Sequence, residues 1–510
     1  MVDYDLMNEP PQDGNLLASE TGVDILEPSW NHEYDLALPE LRLDTGSDYL
    51  DETLYGIMSL LVGPIQVLMA YRSMIMIALY ARLVHLLMDL LSLKLENKIL
   101  AKDFATTYFG LYQLISYVRS VQPTGAHSLL PICLSVIFSS AIISRLFKLG
   151  PPERSFRRTI AFVLFIAMPI FVNEYLIHHR GFDHHTTLRA IYMILAMKMT
   201  SEMYSETALG FVATLAYFLH PASCIMGPWH GPDSLRPRAE KPTNLEILGQ
   251  FFNQITQTMM CLVMTFGALV VSTNLGELIE MMDYYYHDYE LIKSSSRMYL
   301  TAQDFRFSHY FACLLSLTMM KLWQQNDRLR VCNILRVEWP RSLVEVVVSW
   351  NIPMHCWLKQ CIFSPLIESR LSILTAILIT YLCSSSLHGF KFHIWAVLFT
   401  LGLATWIEQK LRAKLARRLG ACVLVRPCKL IAGVQSCPRG HKRTASNSVL
   451  VVVANFAFKL LAMLQLAYLG SIFVGNTDEA SYRDALQKWS QCHYFGHLLC
   501  LAMMGVSICI

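Results

Sequence analysis

Residues 340–393 read PRSLVEVVVSWNIPMHCWLKQCIFSPLIESRLSILTAILITYLCSSSLHGFKFH. Two polar side chains, Asn351 and His388, lie at the edges of the apolar runs in this stretch. Runs of this kind are typical of helices in or on a lipid bilayer. A polar side chain at membrane depth costs free energy that an apolar residue avoids, so such residues often mark functional sites. The stretch therefore predicts membrane helices and a candidate site carried by them.

The composition of the whole chain indicates the same class of protein. Of its 510 residues, 54% are hydrophobic and 16% are charged, and the mean hydropathy is +0.37. This is too apolar for an ordinary soluble protein, so we expect an integral membrane protein. Residues 1–52 differ, because they carry fourteen Asp or Glu and one Arg. We expect residues 1–52 to form an acidic, disordered tail, cytosolic or lumenal, and residues 53–510 to form one multi-helix domain.

Apolar segments recur throughout residues 53–510. They are found at 54–93 (one or two elements, divided near Tyr71), 105–118, 127–147, 157–177, 187–199, 207–226, 247–272, 300–320, 342–358, 371–387, 392–407, 448–474 and 493–510. A helix needs ~20 apolar residues to cross a bilayer, so the shorter segments fit half-buried or re-entrant elements. The pattern predicts an all-α polytopic membrane protein with about eleven transmembrane or re-entrant helices.

The distribution of positive charge predicts the side of the membrane that each segment faces. Residues 410–443 contain ten Lys or Arg and no acidic residue. This pattern is typical of a cytosolic loop beside anionic lipid headgroups, and we expect no nucleic-acid partner. The helix at 371–387 then runs from the cytosol to the lumen, which places His388 at its lumenal end. We expect Asn351 nearer the cytosol, so that the two side chains face each other through the membrane.

Pro353 predicts a break in the segment 342–358. Its ring frees a backbone carbonyl about one turn earlier, near Trp350 and Asn351. Such a break at membrane depth is tolerated only where protein or a cavity covers it, so we expect Asn351 to line a cavity. Each polar residue also has an ordinary structural interpretation. His388 could bond a neighbouring carbonyl, and Asn351 could cap the helix that follows the break.

Four residues of the basic loop are candidate ligands of a zinc ion: Cys422, Cys428, Cys437 and His441. The spacings between successive cysteines are wider than the tight pair that is typical of zinc sites, so we expect no metal. We expect free thiols instead, open to S-acylation near the bilayer.

Several strings in the chain resemble the membrane-bound O-acyltransferase family. They are Trp339-Pro340-Arg341-Ser342, Ser349-Trp350-Asn351-Ile352-Pro353-Met354, Trp357-Leu358 and Leu387-His388-Gly389-Phe390, with supporting matches at Gly227-Pro228-Trp229, Phe307-Ser308 and Tyr310-Phe311. The resemblance implies a multi-helix fold that encloses a catalytic tunnel, with His388 and Asn351 as the catalytic pair. Many members carry Trp before the His. Leu387 at that position is similar to the branch of the family that acylates Wnt proteins.

The resemblance to this branch implies a function. A palmitoleoyl group, which is mono-unsaturated, would pass from acyl-CoA to a serine hydroxyl of a Wnt protein in the endoplasmic reticulum membrane, enabling Wnt secretion and signalling. The resemblance implies acyl-CoA, Wnt proteins and membrane lipids as partners, and no permanently bound cofactor. Six residues are expected to line the tunnel and contact the substrates: Trp350, Trp357, Ser385, Ser386, Leu387 and Tyr310.

In the expected mechanism, the neutral imidazole of His388 removes the serine proton during attack on the thioester. The amide of Asn351 stabilises the charge that develops on the thioester oxygen or holds the adjoining part of the acyl chain. Two other functions fit a chain of this kind. One is acylation of a lysophospholipid by an enzyme of the same family. The other is a transporter or channel, whose flux would survive replacement of His388.

Overall fold

The computed structural model describes residues 48–91, 95–121, 130–149, 185–205, 209–232, 234, 243–286, 288–323, 329–389, 391–428, 437, 439–473 and 482–510. Every regular element in these ranges is helical, apart from one isolated bridge between Ala421 and Arg443. The predicted all-α class is confirmed.

The described residues form seventeen α-helices and one short π-helical turn. Their bounds are α1 Asp48–Ala70, α2 Arg72–Leu90, α3 Leu95–Val121, α4 Leu130–Leu149, α5 His185–Tyr204, α6 Phe211–Phe218, α7 Asn244–Tyr285, α8 Glu290–Lys321, α9 Ile334–Glu338, α10 Leu343–Trp350, α11 Ile352–Leu358, the π-turn Lys359–Phe363, α12 Ser364–Glu368, α13 Ile373–Leu387, α14 Phe392–Leu419, α15 Val449–Gly470, α16 Tyr482–Gln491 and α17 Phe495–Cys509.

Most of the predicted apolar segments are helices, and two boundaries match closely. α1 and α2 meet at Tyr71, and the segment 342–358 is divided into α10 and α11. The expected segment 207–226 is wrong in length, because the helix ends at Phe218. Pro221 lies just beyond that end, and proline cannot continue a helix.

Two predictions fall wholly or mostly outside the described residues. The apolar segment 157–177 lies outside them, as do residues 1–47 of the acidic tail. The last five residues of the expected tail, 48–52, belong to α1.

Three helices among the described residues are long and apolar enough to cross a membrane alone: α2, α7 and α15. α16 and α17 satisfy the same test as a pair, with a bend of 70° between them. Shorter apolar helices such as α13 accompany them. The polytopic membrane architecture follows from these helices, whereas about eleven crossings stays a prediction.

The largest apolar core joins α2 to α6 with α8. Tyr192 of α5, Leu219 and Tyr310 of α8 are buried in it. Gly110 of α3 lies so close to the carbonyl of Leu219 that no Cβ atom would fit between them. α8 also packs along α7, the longest helix described. These contacts fix α8 beside α10.

A second core joins α5, α11 and α13. It contains Met197 of α5, Met354 and Trp357 of α11, and Cys383 and Leu387 of α13. The first turn of α11 and the last turn of α13 therefore share one cluster.

A buried ion pair within α14 forms hydrogen bonds with the backbone at the start of α10. The side chain of Arg412 is fully buried, and its Nη1 atom lies 2.9 Å from a carboxylate oxygen of Glu408. The guanidinium also donates to the carbonyls of Arg341, Val423 and Leu424 at 2.8, 2.6 and 3.1 Å. The expectation that the basic region faces lipid headgroups is wrong for Arg412, whose charge is paired inside the protein.

We expect Arg412→Ala to lower the thermal midpoint of the purified protein strongly. The substitution leaves Glu408 buried without its partner, and breaking a buried pair in this way costs about 3–5 kcal/mol. Thermal unfolding in detergent, followed by fluorescence-detected size-exclusion chromatography, measures the change. Arg417→Ala is the matched control, because Arg417 is an exposed residue of the same helix. Equal midpoints for the two variants would contradict a structural role for the pair.

Candidate functional site

The break between α10 and α11 is centred on Asn351. Its backbone leaves the helical conformation, with φ −139° and ψ 91°, and Pro353 is the second residue of α11. The Asn351 Oδ1 atom accepts a hydrogen bond from the backbone N–H of Met354 at 3.1 Å. The expected break is confirmed, and so is the capping interpretation of Asn351. The cap uses the acceptor atom of the amide and not its donor group.

The carbonyls that the break frees have partners elsewhere in the protein. The Ser349 carbonyl accepts from the backbone N–H of Asn333 at 2.9 Å. The Trp350 carbonyl lies 3.1 Å from the Nε2 atom of His309. On the other side of the break, the N–H of Ile352 donates to the carbonyl of Val331 at 2.8 Å. The break is thus covered by protein, as a break at membrane depth requires.

His309 is a member of the site that the sequence analysis missed. Its ring stacks on the Trp350 indole, with centroids 4.2 Å apart and planes 7° apart. Because a carbonyl only accepts hydrogen bonds, the contact with the Trp350 carbonyl places the ring proton on Nε2. The signal was present in the sequence, since His309 lies between the two matched strings Phe307-Ser308 and Tyr310-Phe311.

His388 ends α13. Its backbone N–H donates to the carbonyl of Ser385 at 3.0 Å, and its own carbonyl accepts from the Arg189 guanidinium at 2.9 Å. Gly389 follows with φ +89°, a conformation that side chains rarely adopt, and its carbonyl accepts from the indole N–H of Trp395 at 2.8 Å. These contacts hold the backbone turn that carries His388.

The helices next to Asn351 and His388 pack in one apolar core, which contains Met354 of α11 and Leu387 of α13. His309 and Arg189 are close enough to the His388 imidazole to interact with it electrostatically. The same His309 ring contacts Trp350, the residue before Asn351. The expected separation of the two residues across the membrane stays a prediction.

The residues expected to line the tunnel fall into two groups. Trp350 is half-buried and contacts His309 directly. Tyr310 and Trp357 are fully buried, and Leu387 is buried in the cluster that contains Trp357. None of these three side chains is exposed to an open tunnel in this structure.

The two serines before the histidine bond to their own helix. The Ser385 hydroxyl donates to the carbonyl of Tyr381 at 2.8 Å, and the Ser386 hydroxyl donates to that of Leu382 at 2.9 Å. Both side chains are buried beside the last turn of α13. Their position next to His388 is as expected, and their contact with a substrate stays a prediction.

Tyr310 has a structural partner that explains its burial. Its hydroxyl donates to a carboxylate oxygen of Glu338 at 2.5 Å, and the same oxygen lies 2.9 Å from Nε of Arg306. Gln303 donates to the other oxygen of Glu338 at 2.9 Å. Three side chains of α8 therefore hold α9, just before α10, and so help to keep His309 against Trp350.

The family model described as MBOAT, membrane-bound O-acyltransferase family, matches residues 55–417. This region includes His309, Asn351 and His388.

Curated relatives named protein-serine O-palmitoleoyltransferase porcupine are similar to the chain. The relative from Anopheles gambiae is 32% identical over 349 residues, which cover 61% of this chain and 67% of the relative. That from Homo sapiens is 32% identical over 343 residues, or 61% and 70% of the two chains. That from Drosophila melanogaster is 32% identical over 359 residues, or 64% and 65%.

We expect Asn351→Ala to destabilise the protein and Asn351→Ser to leave its stability nearly unchanged. Alanine cannot cap the first turn of α11, and losing such a cap costs about 0.5–2 kcal/mol, whereas Ser caps about as well as Asn. Thermal midpoints of both variants in the same detergent measure the difference. If Asn351→Ser lowered the midpoint as much as Asn351→Ala, the cap would not be the stabilising contact.

Proposed function

Because the chain belongs to the membrane-bound O-acyltransferase family, we propose that it transfers a palmitoleoyl group from acyl-CoA to a serine hydroxyl of a Wnt protein. The similarity to relatives named protein-serine O-palmitoleoyltransferase carries this proposal, since three of them share 32% identity with the chain over 343 to 359 residues. The turn at His388 and the helix break at Asn351 supply the two polar groups that such a reaction uses.

His388 is the general base of the proposed reaction. A serine hydroxyl is a weak nucleophile, so its proton has to leave as its oxygen attacks the thioester carbonyl. The imidazole accepts that proton while the new C–O bond forms. The C–S bond then breaks, and the CoA thiolate leaves. The imidazolium returns its proton to the thiolate or to solvent. A thiol pKa of ~8.5 makes this leaving group easy to expel without a separate acid.

Asn351 stabilises the negative charge on the thioester oxygen. Its Oδ1 atom is engaged by the N–H of Met354, and this contact orients the side-chain amide. The Nδ2 group supplies the donor that the developing oxyanion needs. The proposal therefore gives the one amide two roles, a structural one through its oxygen and a chemical one through its nitrogen.

His309 acts as a positioning residue. Its contact with the Trp350 carbonyl fixes the last residue of α10, and the next residue is Asn351. The ring also lies within electrostatic range of His388. One side chain on α8 thus holds the residue before Asn351, and small displacements of catalytic groups reduce rates strongly.

The proposed acceptor and membrane follow from the relatives. The donor is acyl-CoA, which is a substrate, and the reaction requires no permanently bound cofactor. A serine of a secreted Wnt protein becomes accessible in the endoplasmic reticulum, so we propose that membrane as the location of this multi-pass enzyme. Membrane lipids surround it. A lysophospholipid acceptor is the alternative within the family, and the names of the similar relatives favour a protein serine.

We expect His388→Ala to abolish acyl transfer while the protein folds normally. Removal of a general base reduces the rate of such a step by about 10²–10⁴-fold. The assay follows transfer from palmitoleoyl-CoA to a Wnt-derived serine peptide by purified protein, with the Ser→Ala peptide and a lysophospholipid as parallel acceptors. Full activity in His388→Ala would refute the mechanism, and transfer to the lysolipid alone would refute the proposed acceptor.

His493→Asn is the matched control for this experiment. His493 is an exposed histidine between α16 and α17, and its φ of 50° is one that Asn tolerates. We expect this variant to keep wild-type activity. Wild-type elution of both variants in size-exclusion chromatography confirms that the comparison concerns chemistry and not folding.

We expect His309→Phe to lower kcat by about 10- to 100-fold with little change in the KM for acyl-CoA. Phenylalanine keeps the stacking on Trp350 but loses the hydrogen bond to its carbonyl. His309→Gln can still donate to that carbonyl and should recover most of the activity. Steady-state kinetics of the two variants decides the point. A wild-type kcat for His309→Phe, or equal losses in both variants, would contradict the positioning role.

A further inference from the structure

Four potential metal ligands meet in the segment that follows α14. The Sγ atoms of Cys422, Cys428 and Cys437 and a ring nitrogen of His441 all lie within 4.8 Å of one another. The cysteines are not joined by a disulfide. Each of the three sulfurs is therefore available as a thiolate ligand.

The distances from the three sulfurs to the imidazole match those of a tetrahedral zinc site. The three sulfurs lie 3.5, 3.6 and 3.5 Å from the Nδ1 atom of His441. Zinc binds sulfur at ~2.3 Å and imidazole nitrogen at ~2.05 Å, so tetrahedral angles separate the two kinds of ligand by ~3.6 Å. Three equal separations of this size place the sulfurs around one common point beside the imidazole.

The backbone of the segment builds the cluster from residues that are distant in sequence. The N–H of Arg443 donates to the carbonyl of Gly420 at 2.8 Å, and the N–H of Cys422 donates to the carbonyl of Arg443 at 2.9 Å. This pairing brings the end of the segment, with His441, back to Cys422. Gly420 adopts φ +55° at the end of α14, which allows the chain to reverse there.

A tight turn presents Cys437 and His441. The N–H of Gly440 donates to the carbonyl of Cys437 at 2.9 Å, and Gly440 has φ +72°. The backbone N–H groups of Arg439 and His441 also lie within hydrogen-bonding reach of the Cys437 sulfur. Such N–H contacts to a ligand sulfur are the outer-sphere contacts that orient metal ligands.

We propose that Cys422, Cys428, Cys437 and His441 bind one structural zinc ion. Three thiolates and a neutral imidazole are a soft, four-coordinate ligand set that favours zinc, and four protein ligands leave no open position for catalysis. On binding, three thiols lose their protons to solvent. The complex then carries one net negative charge. Arg341, whose guanidinium donates to the carbonyl of Cys422 at 3.0 Å, helps to balance that charge.

The zinc ion would stabilise the junction between this segment and α10. Arg412 and Arg341 bind the carbonyls of residues 422–424, so those carbonyls must stay in place. Asn455 of α15 donates to the Cys422 carbonyl as well, at 3.2 Å. A metal bound to Cys422 and Cys428 would hold this stretch at both ends. The proposal concerns stability and does not depend on the acyltransferase activity.

The spacing between successive cysteines alone predicts no metal. The tight pair is instead Cys437 and His441, which three residues separate. Backbone pairing of Gly420 with Arg443 brings Cys422, at the other end of the segment, close to this pair. The structure thus removes the reason for expecting no metal.

Metal analysis of the full-length protein tests the proposal directly. The chain is purified in detergent with an affinity tag other than polyhistidine, in metal-free buffer, from cells grown with zinc. We expect about one zinc per chain by mass spectrometry, and X-ray absorption at the zinc edge should show three sulfurs at ~2.3 Å and one nitrogen at ~2.0–2.1 Å. Less than about 0.2 zinc per chain, or a shell of oxygen and nitrogen only, would overturn the proposal.

Two variants and a matched control extend the test. Cys437→Ser and His441→Asn should each lower the zinc content severalfold and lower the thermal midpoint. Cys509→Ser removes an exposed cysteine outside the cluster and should change neither. Unchanged zinc content in both cluster variants would overturn the proposal, as would fatty-acyl thioesters on these cysteines in the wild type. If the variants do not fold, the absorption spectrum of the wild type decides alone.

Discussion

A helix that breaks inside a membrane must find partners for the backbone groups that the break frees, because hydrocarbon supplies none. At the junction of α10 and α11, the two freed carbonyls are bound by the Asn333 N–H and by the His309 imidazole. These partners come from separate parts of the chain. The break can therefore exist only where three elements are assembled together. They are the segment before α9, helix α8 and helix α10. The position of Asn351, the residue at the break, therefore depends on that assembly.

Polar contacts, more than apolar packing, fix the elements around this break. Lipid tails are as apolar as leucine, so apolar contact alone drives little association between helices in a bilayer. Glu338 ties α9 to α8 through Tyr310 and Arg306. At the other end of α10, Arg412 binds the Arg341 carbonyl, and Glu408 accepts from the N–H of Leu343. Polar contacts thus hold both ends of helix α10, and the break at Asn351 directly follows this helix.

Part of this organisation could be predicted from local sequence and part could not. Pro353 indicated the break at Asn351, and the apolar runs indicated the helices, because both are properties of neighbouring residues. The shared core of Met354 and Leu387 could not be predicted, because charge bias orients a hairpin without showing which helices pack together. His309 reaches the site through tertiary contacts, and His441 reaches Cys422 through long-range backbone pairing. Family resemblance marks the position of His309 in the sequence, but neither contact can be predicted from neighbouring residues.

The central claim is that His388 and Asn351 act on the same thioester. The most direct test is a cryo-EM structure of the protein with a non-hydrolysable palmitoleoyl-CoA analogue, in which the position of the reacting carbon is measured. We expect that carbon beside the His388 imidazole, with room for a serine oxygen ~3–3.5 Å from it, and the adjoining oxygen within hydrogen-bond reach of the Asn351 amide. A reacting carbon bound far from both side chains would contradict the claim.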